Sequence, residues 1–389
     1  MRIGHYMEGV WDPGGVSGYI RRVAAALRAA GHEVFILDTR PGSRPDPATG
    51  EAPIIARDHA DLFARALELR LDILHLHCPA TVLPDDRVPT VRSLHGHSPY
   101  CPSGSRYLAR WGRPCDRAYS LIGCLWGHLA DHCGSVRPHK TVEEFRRTWT
   151  EQRTLPHLLT ITASQFLKDQ MVRNGYPADR VEALRVPPPP LVEATPPPDG
   201  PPRFAYLGRV EANKGVDWLL RAVATAPTRP ALDVAGDGTK LPQARALAAE
   251  LGITDRVTFH GWVAGADAVG LLRSARAMIL PSVWHEPGAT VGVEAMAAGR
   301  AVIMSRVGGM TEIVPGERNG LLVEPNDVAG LAAAIDKLAS DHALAARMGA
   351  EGRRMVEAEF ALPIHLERLT ALYERGRELH RRLAPATAR

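Results

Sequence analysis

Two carboxylates, Glu286 and Glu294, are separated by seven residues in the stretch VWHEPGATVGVEAMAAGRAVIMS, with almost nothing bulky between them. A helix starting near Thr290 would turn its free backbone N–H groups, and the positive end of its dipole, toward whatever precedes it. Gly288 and Ala289 keep that approach narrow enough for a phosphate or a sugar to touch the backbone. Glu294 falls one turn into the helix, where it can hold a vicinal diol such as a ribose, and Glu286 falls in the loop before it. Taken alone, an acid near the start of a helix is equally a device for stability.

A second group lies upstream, in YLGRVEANKGVDWLLRAV. A buried strand ends at Gly208, Arg209 follows at once, and Lys214 sits just before Gly215 and the next helix. Two cations at the carboxyl end of a strand, beside a helix N-terminus, make a clamp for a diphosphate. The competing reading is a solvated surface pair. DVAGDGTKL adds a glycine turn at Gly236 after another strand. RVTFHGWV, with Trp262, brings backbone to the same rim, where an amide could pair with a nucleobase edge.

These groups need a scaffold of strands and helices to bring them together. VPPPPLVEATPPPDGPP, residues 186–202, holds nine prolines and forms an extended, semi-rigid connection. On each side apolar strands alternate with amphipathic helices. In the first half RIGHYM precedes a helix with Ile20, Val23, Ala24 and Leu27 at helical spacing, ended by Gly31, and EVFIL, LDILHLH and PTVRSLH are further strands. In the second half RFAYLG, ALDVAG, VTFHG, AMILP, AVIMS and GLLV alternate with helices. Such alternation predicts an α/β architecture of two Rossmann-like, doubly wound lobes facing across a cleft, with ligands at the carboxyl ends of the strands. The long final helix, IHLERLTALYERGRELHRRL, either caps the second lobe or crosses back to the first.

Composition narrows the classes. The chain has 389 residues, 45% of them hydrophobic and 23% charged, with a net charge of +4. That balance, without a basic block interleaved with aromatics, argues against nucleic-acid binding. No apolar run of membrane-spanning length and no signal-peptide core occurs, so a cytoplasmic protein is expected.

The set LGRVEANKG, GDG, LPSVWHEPGATVGVEAMAAGRAVIMSRVGGMTEIV and NGLLVEP, together with DPGGVSGYIRRVAAALRAAGHEV, DILHLH, SLHGH and ASQFLKDQMVRNGYP, resembles retaining glycosyltransferases of family 4 with the GT-B fold (the group 1 glycosyl transferases). The resemblance covers nearly the whole chain. It implies an N-terminal acceptor domain (1–185), the linker (186–202), a nucleotide-sugar domain (203–364) and a final helix (365–389). It also implies that Arg209 and Lys214 neutralise the donor diphosphate without a metal, and that Glu294 binds the ribose. Glu286 and His95 would contact the donor sugar, and Gly14 and Gly15 would let backbone meet the diphosphate. Gly236, Trp262, Gly288, Ala289, Thr290 and Val291 complete the implied donor site. No cofactor is implied beyond a nucleotide-sugar, with a UDP-sugar favoured and GDP-mannose second. The acceptor would be a small hydrophilic molecule or a saccharide.

The chain departs from the family's pattern twice. After Glu286 the family usually places an aromatic, Gly and an aliphatic, where this chain has Gly288, Ala289 and Thr290, so the sugar's identity is open. Four of the five cysteines, Cys101, Cys115, Cys124 and Cys133, crowd an insertion at about 98–140 with His128 and His132. Buried packing, a structural metal and disulfides are the three readings, the gaps being wider than in a zinc knuckle. His97, Tyr100 and Tyr107 are candidates for acceptor contact; Tyr100, Tyr107, Trp111 and Trp126 fit either carbohydrate stacking or ordinary core, and one of His75 and His77 is expected to be a satisfied core residue. Two other functions share this architecture, a nucleotide-sugar 2-epimerase and a non-catalytic sugar-nucleotide subunit. The presence of both cations and Glu286 favours transfer. Oligomeric state is not legible.

Overall fold

Runs of four to six apolar residues become parallel strands because helices cover both faces of the sheets they form. The computed structural model describes residues 1–12, 14–190, 193–263 and 265–383. Residues 191 and 192 of the proline stretch and 384–389 of the expected terminal segment lie outside them. In chain order the first lobe carries β1 (Arg2–Tyr6), β2 (Glu33–Asp38), β3 (Ile54–Ile55), β4 (Ile73–Leu76), β5 (Thr90–Leu94), a short antiparallel hairpin of β6 (Tyr107–Leu108) and β7 (Arg113–Pro114), then β8 (Leu159–Thr162) and β9 (Val181–Ala183). Its main sheet runs β3-β2-β1-β4-β5-β8-β9, every pair parallel. The second lobe carries β10 (Arg203–Leu207), β11 (Ala231–Ala235), β12 (Val257–Gly261), β13 (Ala277–Leu280), β14 (Ala301–Ser305) and β15 (Gly320–Val323), in the order β12-β11-β10-β13-β14-β15, again all parallel.

All ten strands expected from the apolar runs are present. β3, β6, β7, β8 and β9 were not anticipated: four are only two or three residues long, and LTIT in β8 alternates with threonines yet is buried along its whole length. Each sheet reverses its strand order once, beside β1 in the first lobe and beside β10 in the second. The loops leaving β1 and β4 therefore part to either side, as do those leaving β10 and β13, and a crevice opens at each reversal.

The first helix, Gly15–Ala29, buries Ile20, Val23, Ala24 and Leu27 against the first sheet, and Gly31 at φ +86° turns the chain into β2. The last helix, Leu362–Leu383, crosses back. Leu369 and Tyr373, both fully buried, share a core with Ile3, Ile20, Ile73 and Val91. It starts at Leu362 rather than 365, since Pro363 in the first turn forfeits an N–H that has no intrahelical partner there. Among the described residues no helix is long and apolar enough to cross a membrane.

Candidate active site

Between the two reversal points lies a cavity of about 610 Å³. A second cavity, of about 250 Å³, opens between Leu83–Val88 and the last helix and gathers no comparable set of cations and backbone amides. Eleven of the residues singled out in sequence line the larger one: Gly14, Gly15, His95, Arg209, Lys214, Trp262, Glu286, Gly288, Ala289, Thr290 and Val291.

From the first lobe, Gly14 and Gly15 open the helix Gly15–Ala29, and among the described residues no atom beyond the adjoining chain lies within 4 Å of where a side chain would begin on either. Their backbone is therefore bare to the cavity. From the second lobe, Arg209 and Lys214 come from the loop after β10. The Arg209 guanidinium is exposed and makes no hydrogen bond or ion pair with any described residue, so its donors remain free for a ligand. Lys214 is held, with its ammonium 2.6 Å from Oε1 of Glu286 and over the Trp284 ring at 5.0 Å.

That same Oε1 accepts from Ser282 Oγ at 2.5 Å and Trp284 Nε1 at 2.8 Å, whereas Oε2 accepts from no described residue. Burial pushes the Glu286 carboxyl up, but Lys214, Ser282 and Trp284 outweigh it and leave the net shift downward. Glu286 is thus an anion at neutral pH with one oxygen available. Its contact with Lys214 requires the loops after β10 and β13 to touch. Gly215, at φ +71°, permits this, because a Cβ there would stand 2.0 Å from the carbonyl of Pro281.

The eight-residue helix Thr290–Ala297 begins where the sequence placed it. Glu294 lies in its second turn, half-buried, and is not among the residues that line the cavity. Burial raises its carboxyl, Arg22 of the first lobe opposes that rise, and no described residue hydrogen-bonds it.

Half-buried His95 ends a chain of three imidazoles, of which His5 and His77 are buried. His5 Nδ1 lies 2.9 Å from His77 Nε2, and His77 Nδ1 lies 3.2 Å from His95 Nε2. Burial holds His5 and His95 at about 3 and His77 well below 6.5, so all three are neutral. Each contact takes one proton, and a neutral imidazole carries one, so the three must be oriented in one sense along the chain. His5 Nε2 is buried without a partner among the described residues. Because an orphaned N–H is rarer than an orphaned acceptor, the favoured sense leaves a lone pair on His5 and an N–H on His95 Nδ1. His95 is thereby a hydrogen-bond donor toward the cavity. His75 satisfies the core expectation, bonded to Tyr373 and Ser93 at 2.8 and 2.7 Å.

Other predicted residues stand elsewhere. His97 and Tyr100 are buried at 1% exposure and bonded to each other, and His97 Nε2 donates to the carbonyl of His285 at 2.7 Å. They tie the lobes together rather than face an acceptor in the cavity. Tyr107 packs on the second lobe's core, away from the cavity. Trp111 and Trp126 are exposed on the insertion, outside the cavity lining. Gly236 does not line the cavity; a Cβ there would meet the Gly208 carbonyl at 1.8 Å, so it lets the loops after β10 and β11 touch. Missed in sequence were Tyr19, Tyr206, Ser282, Trp284 and Met310, which also line the cavity. Ser282 and Trp284 lay within four residues of Glu286, and an acid needing donors was the available signal. Glu312 of the second lobe caps the helix Gln165–Arg173 of the first through the N–H groups of Gln165 and Phe166, closing the rim.

Two lobes of parallel sheet, with their switch points facing one cationic cavity, define a protein of the GT-B class. A model of the Glycosyltransferase Family 4 domain matches residues 13–185, and a model of Glycosyl transferases group 1 matches residues 190–355. The chain belongs to glycosyltransferase family 4. It is 28% identical over 411 aligned positions to D-inositol 3-phosphate glycosyltransferase of Streptomyces avermitilis, covering 97% of this chain and 86% of that one. In structure it is similar to sucrose-phosphate synthase of Thermosynechococcus elongatus, with TM-score 0.73, 20% identity and 96% and 98% coverage. It is also similar to Anabaena HepE in complex with UDP-glucose, with TM-score 0.69, 17% identity and 96% and 100% coverage. These relatives give the epimerase reading no support.

Proposed function

We propose that the protein is a retaining, metal-independent hexosyltransferase. It would move a sugar from a nucleotide-diphosphate sugar, UDP-linked by preference and GDP-mannose second, to a hydroxyl of a small hydrophilic or saccharide acceptor. One observation carries the reading: a free Arg209 and an anchored Lys214 face the bare amides of Gly14 and Gly15 across a single cavity. The diphosphate lies between them, where the cations and helix N–H groups stabilise the charge that develops as the glycosyl bond breaks.

Glu294 takes the ribose hydroxyls. Glu286 offers Oε2 to the sugar, while its Oε1 keeps Lys214 aimed at the leaving group. His95 donates from Nδ1 to a sugar hydroxyl. The anomeric carbon becomes oxocarbenium-like, the acceptor attacks from the face the diphosphate leaves, and the departing phosphate accepts its proton. The UDP preference draws support from HepE, whose complex holds UDP-glucose.

The test is a thermal-shift screen over nucleotide-diphosphate sugars, followed by kinetics of the Arg209→Ala/Lys214→Ala double variant. A ligand at a hundred times its Kd stabilises by about 2.7 kcal/mol. The double variant should lose activity at least 10²-fold, the scale set by one oxyanion donor. Undiminished turnover in the variant, or wild-type activity that vanishes on chelation and returns with manganese, would sink the reading.

A further inference from the structure

Four thiols from separate segments of the insertion line one small cavity. Cys101 comes from the loop after Tyr100, Cys115 follows β7, Cys124 rides on the helix Leu121–Ala130, and Cys133 follows that helix. The cavity measures about 20 Å³, room for a single ion or water. His128, 1% exposed, lines it as well. Its Nδ1 donates to the carbonyl of Ser135 at 3.0 Å, so its lone pair sits on Nε2, and Nε2 is buried without a partner among the described residues. A backbone carbonyl fixing the tautomer of an unsatisfied imidazole is the arrangement of a metal-ligating histidine.

The insertion also lacks a core of its own. Its helix buries only Gly127 and His128, while Ile122, Trp126 and Leu129 stand 82%, 63% and 66% exposed. A unit this small without an apolar core needs a cross-link. All five cysteines are unpaired.

We propose that this cavity binds one thiophilic divalent ion of the zinc class through the thiolates of Cys101, Cys115, Cys124 and Cys133, with His128 able to replace one of them. Binding releases one proton from each thiol. Four thiolates around a divalent ion carry a net charge of two minus, and the guanidinium of Arg106, which lines the same cavity and pairs with no carboxylate of a described residue, offsets part of it; Arg117, also in the lining, is already paired with Asp131. Among the described residues no three of these sulfurs lie within 4.8 Å of one another, so binding draws them inward to metal–sulfur distances of about 2.3 Å. His5, His75 and His77 do lie that close, but both nitrogens of His75 and both of His77 already hold hydrogen bonds, which accounts for that group without an ion.

The ion would act on the donor loop from a distance. The insertion reaches that loop where Asp116 pairs with His285 at 2.8 Å, one residue before Glu286, and reaches the second lobe again where Asn326 donates to the Gly112 carbonyl at 2.8 Å.

The test is elemental analysis of the full chain purified without a metal-affinity tag, with thiol counting and cobalt substitution. One zinc per chain is expected, and the cobalt form should show tetrahedral d–d bands with thiolate charge-transfer absorption. Cys115→Ser/Cys124→Ser should lose the metal and melt at lower temperature, whereas Cys78→Ser, outside the cavity, should keep both. If the double variant fails to fold, the wild-type stoichiometry and the cobalt spectrum still decide. Metal far below one per chain, a cobalt spectrum without thiolate bands, or mass spectrometry showing disulfides among the four overturns the proposal.

Discussion

Lowering the pH from 7 to 5.5 should unfold this protein far more readily than its overall composition implies. Six imidazoles are kept neutral by burial: His5, His95 and His97 at about 3, His365 at about 4, and His75 and His77 well below 6.5. In the unfolded chain each titrates near 6.5. Between the folded and unfolded values the unfolded state binds more protons, so stability rises with pH there; it is fully present above about 6.5 and drains away as pH falls. Each histidine that stays neutral costs about 1 kcal/mol between pH 7 and 5.5, and six cost on the order of 6 kcal/mol together. That is comparable to the whole stability of an ordinary domain. Urea titrations at the two pH values measure the loss directly, and ¹⁵N chemical shifts of the ring nitrogens report which imidazoles protonate. A loss below about 2 kcal/mol with an unchanged m-value would refute the reasoning. So would titration of His5 or His77 near 6.5 in the native protein.

Two further substitutions test the packing that positions the site. Gly215→Ala places a Cβ against the Pro281 carbonyl at a left-handed position, and should cost about 2–4 kcal/mol. Because it pries the Lys214 loop from the Glu286 loop, kcat should fall too; unchanged stability and rate would contradict the assigned contact. Tyr373→Ala empties a fully buried site and strips His75 of a hydrogen bond, at about 3–5 kcal/mol. Hydrogen exchange should then accelerate in β4 and β5 but not in β14, and equal acceleration in both lobes would show that the last helix does not belong to the first lobe's core.

What could be read before folding was whatever the chain keeps local. Arg209 and Lys214 share one loop, and Glu286, Gly288 and the helix start at Thr290 share another, so their spacing alone describes a diphosphate clamp and a diol-binding acid. Continuous apolar runs and the 3.6-residue period likewise announce buried strands and amphipathic helices. Strand order, by contrast, is a matter of which runs become neighbours. Only the tertiary structure could bring Lys214 onto Glu286, seventy-two positions away, or line up His5 of β1 with His77 and His95, one residue past the ends of β4 and β5. The same holds for His97 and Tyr100, whose sequence signal was polar and accessible. They are buried because the second lobe's His285 carbonyl needs a donor where the lobes meet. The last helix reads as amphipathic wherever it docks, and its choice of the first lobe rests on the apolar surface that Ile3, Ile73 and Val91 leave uncovered there.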